Sequence, residues 1–153
     1  MPQRRQDNPA SIYSSPARSA LVDSLRRPPM ASQFSAPAMT LVLSIRLMAS
    51  CSAASLDPLV ELSRRLESLT AAKLVLDFAQ SCSRAWPENA MVSRPCCHAL
   101  TPDEAVFAQM AQAAAAGDRA GFSGVLDGLV RRERHERLYA ITQEAVAVLS
   151  HRC

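Results

Sequence analysis

TPDEAVFAQMAQAAAAGD, residues 101–118, is the stretch that decides the fold class. Thr101 stands as N-cap, Pro102 takes the first helical position, and Glu104 sits where its carboxylate reaches back to the N–H of the cap residue. Val106, Phe107, Met110 and Ala113 or Ala114 then recur at helical spacing. Gly117 tolerates the left-handed conformation that ends a helix, and Asp118 caps the next one at once. So short a link folds the two helices into an antiparallel hairpin.

Downstream, Phe122, Val125, Leu126, Leu129 and Val130 form the apolar face of the second helix of that hairpin. Gly121, Gly124 and Gly128 weaken it by about 1 kcal/mol each relative to Ala, which suggests close approach of a neighbouring backbone. Residues 131–137 read Arg-Arg-Glu-Arg-His-Glu-Arg. Leu138, Ile141, Ala145 and Val148 or Leu149 form a last stripe. Upstream, Asp57-Pro58 is a helix start, and Leu59, Leu62, Leu66 and Leu69 lie on one face. A break is expected around Ser68-Leu69-Thr70, with Thr70 capping a helix through Leu74, Val75, Phe78 and Ala79 that Trp86-Pro87 closes. No segment alternates with period two. The expected fold is all-α, a small bundle of four to five helices spanning residues 56–150.

Residues 1–50 read differently. Six of the ten prolines fall in residues 1–37, and six arginines face only Asp7 and Asp23. A basic, Pro- and Ser-rich leader of this kind is expected to be disordered. Its composition also suits a targeting segment, and Met30, Met39 and Met48 are alternative starts. The apolar run from Ala38 to Ile45 is followed by Arg46 and then by Leu47 to Cys51, which loosely resembles a lipoprotein signal with Cys51 as the lipid-bearing residue. Arg46 interrupts that run, and no stretch reaches the roughly 18 apolar residues of a transmembrane helix. The alternative is a short strand or helix packed on the domain.

The net charge of +3 belongs to the leader, since residues 51–153 hold eleven basic and twelve acidic side chains. That balance argues against a basic nucleic-acid-binding fold. Arg131, Arg132, Arg134 and Arg137 form the one basic run, but Arg132 with Glu136 and Glu133 with Arg137 are spaced to pair with each other on a helix. No aromatic is interleaved for base stacking. His135 is expected to be exposed within this run. Aromatics are 5% of the chain and the stripes are Ala-rich, so the core is thin and a protein partner or homo-oligomer is expected.

Chemistry is concentrated in the cysteines. Cys51, Cys82, Cys96, Cys97 and Cys153 are odd in number and irregularly spaced, which points to a reducing, cytoplasmic compartment, with export or lipid anchoring through Cys51 as the alternative. Cys96, Cys97 and His98, with Cys82 upstream, are the candidate metal ligands, for zinc or iron. Adjacent cysteines point apart and C-x2-C spacing is absent, so the competing reading is ordinary residues leading into the Thr101 helix. The segment Ser93-Arg-Pro-Cys-Cys-His-Ala-Leu-Thr-Pro-Asp-Glu104 resembles an uncharacterised family of small alphaproteobacterial helical proteins in which a Pro-Cys-Cys run precedes a polar helix start. His98 stands where that family is expected to carry a third cysteine. The resemblance implies an all-α protein and no reaction. No Ser, His and acid arrangement and no Gly-rich phosphate loop is readable, so the sequence leans away from an enzyme. It points instead to a non-enzymatic interaction module, with a metal or thiol-redox protein as the first alternative and a nucleic-acid binder through 131–137 as the second.

Overall fold

The computed structural model describes residues 27–151. Among these residues six α-helices follow one another: α1 (Ala36–Ala53), α2 (Pro58–Arg65), α3 (Leu69–Ala85), α4 (Pro102–Ala115), α5 (Arg119–Leu126) and α6 (His135–Ser150). Single 3-10 turns at Ala31–Gln33 and Arg132–Arg134 precede α1 and α6. The fold is an all-α bundle. Among the described residues the one β-type pairing is an isolated antiparallel bridge between Met30 and Ala99.

The main departure from the sequence reading is α1. The domain was expected to begin near residue 56, behind a leader ending at 50. Instead residues 36–53 form an 18-residue helix. Expected disorder in the earlier part of the leader falls outside the described residues. Ser35 is the N-cap, and Pro37 is in the first turn, where its missing N–H costs nothing. The helix ends at Ala53, and Ser55, two residues on, takes a left-handed φ of 56°. Ala38, Leu41, Val42, Ser44, Arg46, Met48 and Cys51 are all buried. They do not fall on one stripe, because α1 is packed by α2, α3, α4 and α6. A helix covered on several sides has no polar face to reveal it. By length and composition α1 is the one helix among the described residues that could cross a membrane, a test that a core helix also passes, so no clear transmembrane segment emerges. Here it runs through the bundle, with Arg46 ion-paired inside.

The other helices keep their expected faces with shifted ends. Leu62 and Leu66 are buried, while Leu69 is half exposed. The break after α2 is at Glu67, with φ 48°, and Ser68 rather than Thr70 caps α3, accepting from the Ala71 N–H at 3.1 Å. Helix α5 stops at Leu126 instead of running to Val130, because Gly128 takes a φ of 81°. Gly121 is not a point of helix–helix approach. A Cβ there would lie 2.1 Å from the Asp118 carboxylate, which caps α5 by accepting from the Gly121 N–H.

Phe107, midway along α4, sets the centre of the core. Its ring lies 6.1 Å from that of Phe78 and 4.9 Å from that of Trp86. A second contact joins Phe122 on α5 to Tyr139 on α6 at 5.1 Å. The most extensive helix pairings are α3 with α6, and α4 with α1, α5 and α6.

Candidate functional site

The start of α4 organises the irregular residues 86–101. The expected capping box forms: Thr101 Oγ1 accepts from the Glu104 N–H at 3.2 Å, and Glu104 Oε2 accepts from the Thr101 N–H at 2.9 Å. Asp103 binds backward, accepting from Trp86 Nε1 at 3.2 Å and from the Met91 N–H at 2.7 Å. Thr101 Oγ1 donates to the Met91 carbonyl at 2.6 Å. One helix N-terminus thus fixes the chain from the end of α3 to its own cap.

Glu104 does more than cap. Arg46 of α1 reaches it with two parallel bonds, Nε to Oε1 at 2.6 Å and Nη2 to Oε2 at 2.8 Å. The two side chains are 1% and 0% exposed. Burying two charges is expensive unless further hydrogen bonds satisfy both. Here they do. Arg46 also donates to the carbonyls of Cys97 at 2.5 Å, Ala99 at 3.1 Å and Arg94 at 3.3 Å. Glu104 also accepts from the Ser93 N–H at 2.8 Å. Burial alone would raise the pKa of Glu104. The Arg46 hydrogen bond, the Thr101 and Ser93 N–H groups and the Arg46 charge overcome that and hold it below the usual carboxylate range. The hydrogen bond to Glu104 likewise raises the pKa of Arg46, against the opposing effect of burial.

The pair pins the segment from Ser93 to Thr101 from the inside. Residues 29–31 hold it from the outside, with the Leu100 N–H donating to the Pro29 carbonyl at 2.8 Å and the Ala31 N–H to the His98 carbonyl at 3.0 Å. A turn closed by the Cys97 N–H on the Arg94 carbonyl, at 3.0 Å, lies between. Cys96, Cys97 and His98 are all exposed on this anchored loop.

Cys82 lies elsewhere. It is buried in α3, and desolvation pushes its thiol pKa strongly upward. It borders a cavity of about 540 Å³ between α1 and α3, with Ile45, Met48, Ala79 and Phe107 also in the wall. Among the described residues no three His, Cys, Asp or Glu side chains are grouped to hold a metal ion. The structure therefore brings neither Cys82 to the 96–98 run nor the three run residues into one donor set. Cys51 is buried in the last turn of α1.

The basic run is rearranged relative to expectation. Because residues 132–134 form a 3-10 turn and α6 begins at 135, Arg132 and Glu136 do not share one helix face. Glu136 pairs with Arg119 at 2.7 Å, and Arg132 lies 3.9 Å from Asp127. His135 is buried rather than exposed. Its Nε2 is 3.0 Å from the Val130 carbonyl, and its Nδ1 has no hydrogen-bond partner among the described residues.

Sequence reasoning found the capping box and the 96–98 run but missed Arg46. The signal was a lone arginine within an apolar run. The structure gives such an arginine a buried acid 58 residues away. No family model matches the chain, and no curated protein and no solved structure matches it either.

Proposed function

We propose that this chain is a non-enzymatic helical interaction module that associates with a second copy of itself through its α1–α2 side. The observation that carries this is the groove of about 370 Å³ between Leu43 and Leu47 of α1, Arg65 and Leu66 at the end of α2, and Pro95 of the pinned loop. Leu43 is 43% exposed there, and Leu56, Val60 and Leu69, all on or beside α2, are each 53% exposed. Single exposed apolar residues are ordinary; several on one short helix and its flanks suit an interface. Two-fold pairing of like surfaces is the commonest way soluble chains cover such a face. The anchored loop supports this reading, since a rigid contact surface loses little entropy on association. The test is light scattering of the full chain at tens of micromolar, beside L43D and V60D. A dimer that both variants convert to monomer, with unchanged helix content, is expected. A monomeric parent chain overturns the proposal.

A second reading, a metal or thiol-redox protein, is favoured by one observation: Cys96, Cys97 and His98 are exposed together on a loop whose backbone is pinned from two sides. Because that loop lacks a complete donor set, a zinc or iron ion would need ligands from a partner or solvent. Elemental analysis of the full chain beside a C96S/C97S variant tests it. Metal that disappears in the variant supports the reading, and metal in neither sinks it.

A cytoplasmic setting accompanies the first proposal. Processing at Cys51 would remove everything before it, including Arg46 and the buried Leu41 and Val42, which is the physical ground for preferring an intact α1. The kinship of residues 93–104 with the alphaproteobacterial family is likewise a proposal, and it implies no reaction.

A further inference from the structure

The C-terminal end of α3 and the N-terminal end of α6 meet at a cleft of about 250 Å³ lined by Ser81, Arg84, Ala85, Arg134, Arg137 and Leu138. We propose that this cleft is a binding site for a phosphate group, free or as a small phosphomonoester.

Three arginines converge on it, Arg84 from α3, Arg134 from the 3-10 turn and Arg137 from the first turn of α6. Arg134 is drawn across the cleft because its Nη1 donates to the Arg84 carbonyl, at 2.6 Å, satisfying a carbonyl that the last turn of α3 leaves free. Arg137, in the first turn of α6, lines the same cleft. Among the described residues the Arg84 side chain makes one hydrogen bond, donating to Gln80 Oε1 at 3.5 Å. Among the described residues none of the three has a carboxylate within ion-pair distance. Like charges gathered in one concavity repel each other, and an anion between them removes that cost. The planar guanidinium fork matches phosphate oxygens in two-point contact.

The remaining lining sets the size and polarity of the ligand. Ser81 offers a hydroxyl on the α3 wall, and Ala85 and Leu138 supply apolar surface beside the arginines. That apolar surface favours a phosphate carried on a small organic group. No aromatic side chain lines the cleft to stack a base, which disfavours a nucleic-acid strand.

Isothermal titration of the full chain with inorganic phosphate and with phenyl phosphate tests the site and separates the free ion from an ester. R84Q and R137Q are the probes, R137K restores the charge without the fork, and K73Q, exposed near the other end of α3, is the control. Saturable binding that weakens about tenfold or more in R84Q and R137Q is expected, as for loss of a charge-assisted contact. It should be partly recovered in R137K, retained in K73Q and fall with added salt. The tighter of the two ligands shows whether the apolar wall contributes. Circular dichroism confirms that each variant is folded. No saturable binding, or equal weakening in K73Q, overturns the proposal. Tighter binding of a single-stranded oligonucleotide, lost in the same variants and steeply salt-dependent, also overturns it and assigns the cleft to nucleic acid.

Discussion

Replacing Arg46 with Met keeps most of the side chain's volume and removes its charge. Glu104 would then remain 0% exposed with a negative charge and only the Ser93 and Thr101 N–H groups to face it. The carbonyls of Arg94, Cys97 and Ala99 would lose their shared donor. Breaking one side of a buried pair costs about 3–5 kcal/mol. That is a large part of the roughly 5–15 kcal/mol available to a domain. It corresponds to a fall in melting temperature of about 10–20 °C for a domain of this size. E104Q should be comparably damaging for a different reason. Oε1 faces Arg46 Nε and the Ser93 N–H, and Oε2 faces Arg46 Nη2 and the Thr101 N–H, so either orientation of the amide sets its NH2 against two donors. The two substitutions share one interaction, so the double variant should be less unstable than the sum, with a coupling of about 2 kcal/mol or more. Acid supplies a second readout. The pKa of Glu104 is lowered by folding, so its contribution is present above the unfolded value of about 4.3 and is lost as pH falls through the folded value. The parent chain should therefore lose stability in acid below about pH 4 more steeply than E104Q does. Denaturant melts across that range measure both effects. A change of under about 1 kcal/mol in R46M, or an unchanged acid transition in E104Q, would refute the reasoning.

Two further outcomes follow from burial. A chain beginning at Met48 lacks Ala38, Leu41, Val42 and Arg46, so it should show no cooperative melt in calorimetry; a sharp transition at the parent temperature would show that α1 is dispensable. Under native conditions a maleimide should label Cys96 and Cys97 quickly while Cys82 and Cys51 react only on unfolding, as mass mapping of the peptides would show. Rapid labelling of Cys82 would contradict its buried place in α3.

Which parts of this fold were legible follows from where each helix sits. Helices α2, α3 and α6 each turn one side to solvent, so Leu62, Val75 and Phe78, and Leu138 with Ala145, fall at helical spacing beside polar positions. The start of α4 was legible for another reason, since a capping box is a local device and Thr101 and Glu104 carry it within one turn. Helix α1 has neither signal. Four helices pack against it and its exposed strip carries Ala36, Leu43 and Ser50 instead of charges, so its apolar residues run on without a charged face, and beside a Pro-rich stretch that pattern resembles a targeting segment.

The candidate site divides along the same line. The chemical types at 96–98 could be read directly, but the anchoring of their loop rests on bonds from Arg46 that span 48 to 53 residues of sequence. Local pattern carries no information at that range. A charge inside an apolar run has two physical resolutions: it stays at a water boundary, or it is buried opposite a partner. Glu104 offered the matching half, but its role as a capping residue already accounted for it. Its two oxygens have room for both tasks, because each accepts one backbone N–H and one guanidinium N–H. That double use ties the start of α4 to the middle of α1, and it makes the placement of Cys96, Cys97 and His98 depend on a core ion pair rather than on the loop's own sequence.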